Sequence, residues 1–135
     1  MNLMLGEVEV EVYAEVKPTE SEVKVKRAIL NIVEFDELEV IEVNGVRYVH
    51  GKAKGLNYLS RLRDLIRKER IRDTARDLLN HSVVGDEIII NVNKQAAYVG
   101  VLSFAMGEVE SPLGPITIRV RASNPQQLIM WLTSG

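Results

Sequence analysis

The stretch at 70–120, RIRDTARDLLNHSVVGDEIIINVNKQAAYVGVLSFAMGEVESPLGPITIRV, decides the fold. Ile71, Ala75, Leu78 and Leu79 recur at helical spacing, so a short helix comes first. Gly85-Asp86 turns the chain into the β-branched run Glu87-Ile-Ile-Ile-Asn-Val-Asn93. Lys94 to Ala97 predicts a short connection, and YVGVLSF at 98–104 predicts a second long strand antiparallel to the first. Gly100 within that run predicts a bulge or the close approach of another backbone. Ser111-Pro112-Leu113-Gly114-Pro115 reads as a rigid turn, because proline pre-sets φ and glycine closes the bend. Ile116, Ile118 and Val120 then alternate with Thr117, Arg119 and Arg121 on a third strand. The expected fold class is α+β, a two-layer sandwich with an antiparallel sheet and helices on one face.

Outward from this unit, Val8, Val10, Val12, Ala14 and Val16 alternate with Glu7, Glu9, Glu11, Tyr13 and Glu15. That period-two pattern predicts a strand with one apolar face and one solvated, edge-protecting carboxylate face. Thr19-x-x-Glu22 reads as a capping box, with Pro18 just outside it. The helix behind it turns Val23, Ala28, Ile29, Ile32 and Val33 towards the core. Leu38, Val40 and Ile41 predict a further strand, and Asn44-Gly45 a type I′ hairpin turn. His50 reads as a surface histidine at the end of the returning strand. Gly51-Lys-Ala-Lys-Gly55 lacks the Gly-Lys-Ser/Thr ending of a phosphate loop and reads as a basic connection. Leu59, Leu62, Leu65 and Ile66 share one helical stripe, and Asn124-Pro125 opens a last helix that buries Leu128, Ile129 and Leu132.

The chain's 135 residues fit one domain, 1–135. Hydrophobic residues make up 46% and charged residues 27%, a globular balance. There is no cysteine, which removes disulfides, thiolate metal sites and cysteine nucleophiles together. The N-terminal MNLMLGEVEV lacks the basic and long apolar regions of a signal peptide. No run reaches the ~20 apolar residues of a membrane span. A soluble, cytoplasmic protein is the expectation.

Net charge is −2 but uneven: residues 1–50 hold 11 acids and 5 bases. Seven bases (Arg61, Arg63, Arg67, Lys68, Arg70, Arg72 and Arg76) stand against four acids (Asp64, Glu69, Asp73 and Asp77) in the helices that follow. This is the best basic patch in the chain. Its alternative reading is a helix surface laced with i,i+4 ion pairs. Asn93, Lys94 and Gln95 cluster between apolar strands, where amide and ammonium groups suit phosphate or base edges, or a turn with a helix cap. Tyr98 and Phe104 share a face by parity and suit either base stacking or core packing. His50 and His81 are far apart, and no nucleophile, zinc or dinucleotide motif is present. The expectation is therefore a protein that is not an enzyme, with no catalytic residue, metal or cofactor.

RIRDTARDLL at 70–79, NKQAAYVG at 93–100 followed by SF, and ESPLGPI at 110–116, in this order, resemble an archaeal family of uncharacterised proteins linked to RNA binding. The opening strand, the PTE at 18–20 and the lysine-rich helix fit the same pattern. The resemblance implies a single α+β domain similar in fold to the ribosomal protein that binds 5S rRNA, and a homodimer. With the local basic patch, it implies a non-enzymatic, weak RNA binder. The RNA-contacting residues expected are Arg61, Arg63, Arg67, Arg70, Arg72, Arg76, Asn93, Lys94 and Gln95. The alternative function is a homodimeric protein-interaction module with no RNA-binding activity.

Overall fold

β1, Glu9–Val16, is the strand that the period-two pattern predicts. In the computed structural model, which describes residues 7–105 and 113–134, β1 lies inside the sheet and not at its edge. It pairs with β3, Val46–Lys54, on one side and with β6, Pro115–Arg121, on the other. β2, Glu39–Val43, flanks β3, while β5, Glu87–Asn93, and the two-residue β4, Val83–Val84, continue beyond β6. The order is β2-β3-β1-β6-β5-β4 and every pairing is antiparallel. The carboxylates of β1 therefore do not guard an edge. They form cross-strand pairs in the middle of an uncovered face.

Five helices belong to the described chain: α1 Glu22–Ile32, α2 Ser60–Lys68, α3 Arg72–His81, α4 Lys94–Tyr98 and α5 Pro125–Leu132. A 3-10 turn, Leu56–Leu59, leads into α2. The fold is α+β, with a six-stranded open antiparallel sheet and its helices. Val10, Val12, Ile88, Ile90, Ile116 and Ile118 of the sheet join Ile29, Ile32, Leu62, Ile66, Leu79 and Leu128 of the helices in one core. Each such aliphatic side chain contributes about 1.5–3 kcal/mol by leaving water. The odd-numbered residues of β1 face the other way, beside Lys52, Lys54, Arg119 and Arg121.

Several local expectations shift. Ser21, not Thr19, caps α1, accepting from the Lys24 N–H. Glu20 turns inward instead and accepts the Lys17 N–H at 2.9 Å. Val25 takes the core position expected of Val23, which is 65% exposed. β3 continues through the Gly51–Gly55 stretch as far as Lys54, so no basic connection exists there. His50 consequently lies within a strand and is half-buried. Asn44 and Gly45 adopt φ of 52° and 79°, as a type I′ turn requires.

The largest correction concerns 98–104. Asn93 caps α4 by accepting from the Ala96 N–H, and Gly100, at φ +77°, follows the end of that short helix. The residues that follow return beside β5 in a single bridge, Val92 to Phe104, not in a long strand. Tyr98 and Phe104 thus share no strand face and form no stacking platform. Of the 111–115 turn, Ser111 and Pro112 lie outside the described residues, while Gly114 takes φ +79° and Pro115 starts β6.

Gly51 offers a direct check on packing. A Cβ there would stand 2.7 Å from Leu38 Cδ2 and 3.3 Å from the Glu37 carbonyl oxygen. Leu38 can rotate, but the backbone cannot do so cheaply. Gly51→Ala is expected to cost about 1–3 kcal/mol through overpacking. Thermal unfolding measures it, and an unchanged midpoint would mean that the segment at 35–38 yields freely.

Candidate nucleic-acid interface

Six of the seven bases that the sequence places together separate in space into two kinds, and the seventh, Lys68, is exposed and outside both. Arg61 turns back on α1, donating to the Leu30 carbonyl and lying 3.6 Å from Glu34. Arg63 ties α2 to α5: its Nε donates to the Trp131 carbonyl at 2.9 Å and a terminal nitrogen to Ser134 Oγ at 3.0 Å. Its guanidinium also sits 5.2 Å from the Trp131 ring centroid. These two arginines are fasteners between helices.

Arg67, Arg70, Arg72 and Arg76 behave differently. They line one surface concavity of about 630 Å³ with Asp73 and Thr74. The break between α2 and α3 builds it. Arg70, at φ +58°, reverses the chain after α2, and Arg72 is the first residue of α3. Arg72 and Arg76, four apart, then occupy one face of the helix. Arg76 is steered by Thr133, donating to its Oγ1 at 3.0 Å and its carbonyl at 3.2 Å. Arg67 donates to Asp64 at 2.9 Å while staying exposed. The side chains of Arg70 and Arg72 are exposed and engage no hydrogen bond or ion pair among the described residues.

The Asn93–Gln95 group does not join them. Asn93 is spent on capping α4, and Gln95 is exposed elsewhere. Lys94 is fully buried, and its ammonium donates to the Glu15 carbonyl at 2.6 Å, Leu113 carbonyl at 2.7 Å and Glu20 carboxylate at 2.9 Å. All three ammonium protons are thereby used, so Lys94 is a structural residue and not a surface contact. Tyr98 completes the group by donating to Glu20 Oε2 at 2.8 Å. Burial alone would raise the Glu20 carboxyl. The Lys17 N–H, the Lys94 ammonium and the Tyr98 hydroxyl outweigh it and hold the group below its usual 4.5. Burial first, and then the Glu20 bond, pushes the Tyr98 phenol well above its usual 10. Lysine is rarely buried unless paired, so the missed signal was the apolar setting of Lys94 between Val92 and Ala97.

The uncovered sheet face has a charge ladder of its own. His50 Nε2 meets Glu11 at 2.7 Å and its Nδ1 meets Glu39 at 3.5 Å. Arg119 lies 3.5 Å from Glu11, and Arg121 lies 3.0 Å from Glu87. Acids and bases neutralise one another there, so this face offers a polyanion little net attraction. The four-arginine concavity does.

A family model described as RNA binding matches residues 9–122 of the chain. A UPF0201 protein of Thermococcus onnurineus is 49% identical over 129 residues, covering 96% of this chain and 92% of that protein. The chain belongs to the UPF0201 family. A further UPF0201 protein, from Thermococcus kodakarensis, is 47% identical over 132 residues, covering 98% of this chain and 92% of its own length. The crystal structure of a UPF0201 protein from Methanococcus jannaschii superposes with a TM-score of 0.79 at 33% identity, over 93% of this chain and 98% of that one. UPF0201 is an archaeal family, as the resemblance of the three motifs implied, and its family model carries the RNA-binding description. No helix among the described residues is long and apolar enough to cross a membrane.

Proposed function

We propose that this UPF0201 chain is a non-enzymatic RNA-binding domain that holds phosphates at the Arg67–Arg70–Arg72–Arg76 concavity. The observation that carries this reading is that four arginines line one hollow, two of them with no side-chain partner among the described residues. Guanidinium suits phosphate because its planar fork donates two parallel hydrogen bonds. The reading assigns no reaction and no cofactor, and it places the protein in the cytoplasm. The implied likeness to the ribosomal protein that binds 5S rRNA belongs to the same proposal.

Counterion release gives the test. Two to four phosphate contacts on single-stranded RNA correspond to a slope of about −1.4 to −2.8 for log affinity against log salt. Binding of ribosomal RNA fragments across a salt series should fall in that range. Arg72→Gln should make the slope shallower by about 0.7. A flat salt response, or a slope unmoved by replacing both Arg70 and Arg72, would refute the site.

A homodimer is the second reading, and the outer edge of β2 supports it. Among the described residues that strand pairs only with β3, leaving a row of backbone donors and acceptors for a second copy. Val43 on it is 49% exposed. A monomer mass by sedimentation at every concentration up to millimolar would rule it out.

A further inference from the structure

We propose that the arginine concavity takes a terminal phosphomonoester of an RNA chain and not an internal stretch of its backbone. The inference rests on the RNA-binding reading and narrows it to an end.

An extended strand carries its charges in series, and a protein that follows it needs cations in series. In the sequence the bases from Arg61 to Arg76 look like such a series. In space they are not. Arg61 and Arg63 are committed to Leu30, Glu34, Trp131 and Ser134. What remains is one spot lined by four arginines with Asp73 as its acid, and an exposed Lys68 outside that lining. Beyond it, the chain carries net negative charge and a self-neutralised sheet face. An internal segment would have to cross that surface on both sides of the concavity. A chain end would not.

The charge density agrees. An internal phosphodiester carries one negative charge, whereas a phosphomonoester carries about −1.5 to −2 at neutral pH and offers three strong acceptor oxygens. Four guanidiniums exceed what one diester can use and match a dianion with its oxygens splayed. Thr74 adds a hydroxyl donor to the lining. Among the described residues the lining holds no aromatic ring and no amide side chain to stack on a base or read its edge. The ligand class is therefore an RNA end bearing phosphate, in any sequence.

The experiment compares single-stranded RNAs of about ten nucleotides and one sequence, ending in phosphate or hydroxyl at the 5′ or the 3′ position, by fluorescence anisotropy. One phosphorylated end should bind about tenfold or more tightly than its hydroxyl counterpart. Arg72→Gln should erase that difference. Arg70→Asn should erase it too, since asparagine tolerates the positive φ at position 70 and the variant keeps the fold. Adenosine monophosphate and inorganic phosphate are titrated separately by calorimetry. If either binds as tightly as the phosphorylated RNA, the site takes a free phosphomonoester and the RNA-end assignment falls. Equal affinity for phosphate and hydroxyl ends overturns the inference and leaves the RNA-binding reading standing. No binding of any RNA at low salt overturns both.

Discussion

Lys94→Met is expected to be the most destabilising single exchange in this chain, by about 3–5 kcal/mol. Its ammonium holds together the end of β1, the turn that carries Glu20, and the lead-in to β6 through three hydrogen bonds. Methionine fills the space but leaves the Glu20 carboxylate, whose side chain is 5% exposed, without its cation, and removes the ammonium's bonds to the Glu15 and Leu113 carbonyls. For a chain of this length, the melting midpoint should fall by about 10–20 °C. Pairing the exchange with Glu20→Gln should cost less than the two single losses added together, because the stranded charge disappears. A Lys94→Met protein within 1 kcal/mol of the parent in urea denaturation would sink this account. The same knot sets a pH dependence. Glu20 is held below its unfolded value near 4.5, so its contribution is complete above that value and is lost as pH falls through the lower folded one. In Glu20→Gln that acid limb should flatten.

Arg63 and Arg72 should respond in opposite ways to alanine. Arg63→Ala removes two hydrogen bonds and the contact over Trp131 that fasten α2 to α5. It is expected to cost about 2 kcal/mol, since bonds from a charged donor are worth about 1.5–3 kcal/mol each and this one is only half-buried. RNA affinity should stay within a factor of about two once the protein is folded. Arg72→Ala, exposed at the head of α3, should leave stability within about 0.5 kcal/mol and weaken RNA binding. Parallel thermal melts and binding isotherms of the two proteins decide it. The reverse pattern would move the interface to the Trp131 side.

The fold was legible wherever local pattern and global position agreed. β1 announced itself by alternation, the Asn44-Gly45 turn by its tolerance of positive φ, and α2 by the Leu59–Ile66 stripe. The 98–104 segment was not legible, because an apolar β-branched run looks the same whether it pairs fully or returns for one bridge. The outcome hung on Asn93 capping a short helix that consumed the first residues. β1's central place was also hidden, since alternation reports which faces differ and not how many neighbours a strand has. At the site, the basic stretch was visible, but its division into fasteners and open guanidiniums was not. Arg61 and Arg63 find acceptors on α1 and α5, and such long-range partners leave no mark on the helix that carries the arginines. Lys94 failed for the same reason, since Glu20 lies 74 residues away.

The strand order has a kinetic consequence. β2 and the acids around it, Asp36, Glu37, Glu39 and Glu42, stand at one end of the sheet. α3 packs against β5, towards the other end, and carries Arg72 and Arg76 there. With the concavity's four arginines against Asp73 on that side, charge is polarised along the sheet, although the net charge is only −2. A polyanion at a distance feels weak overall repulsion together with a torque that turns the arginine end to face it. Encounters are therefore pre-oriented at low ionic strength, and the torque fades once the Debye length, about 8 Å in physiological salt, becomes shorter than the molecule.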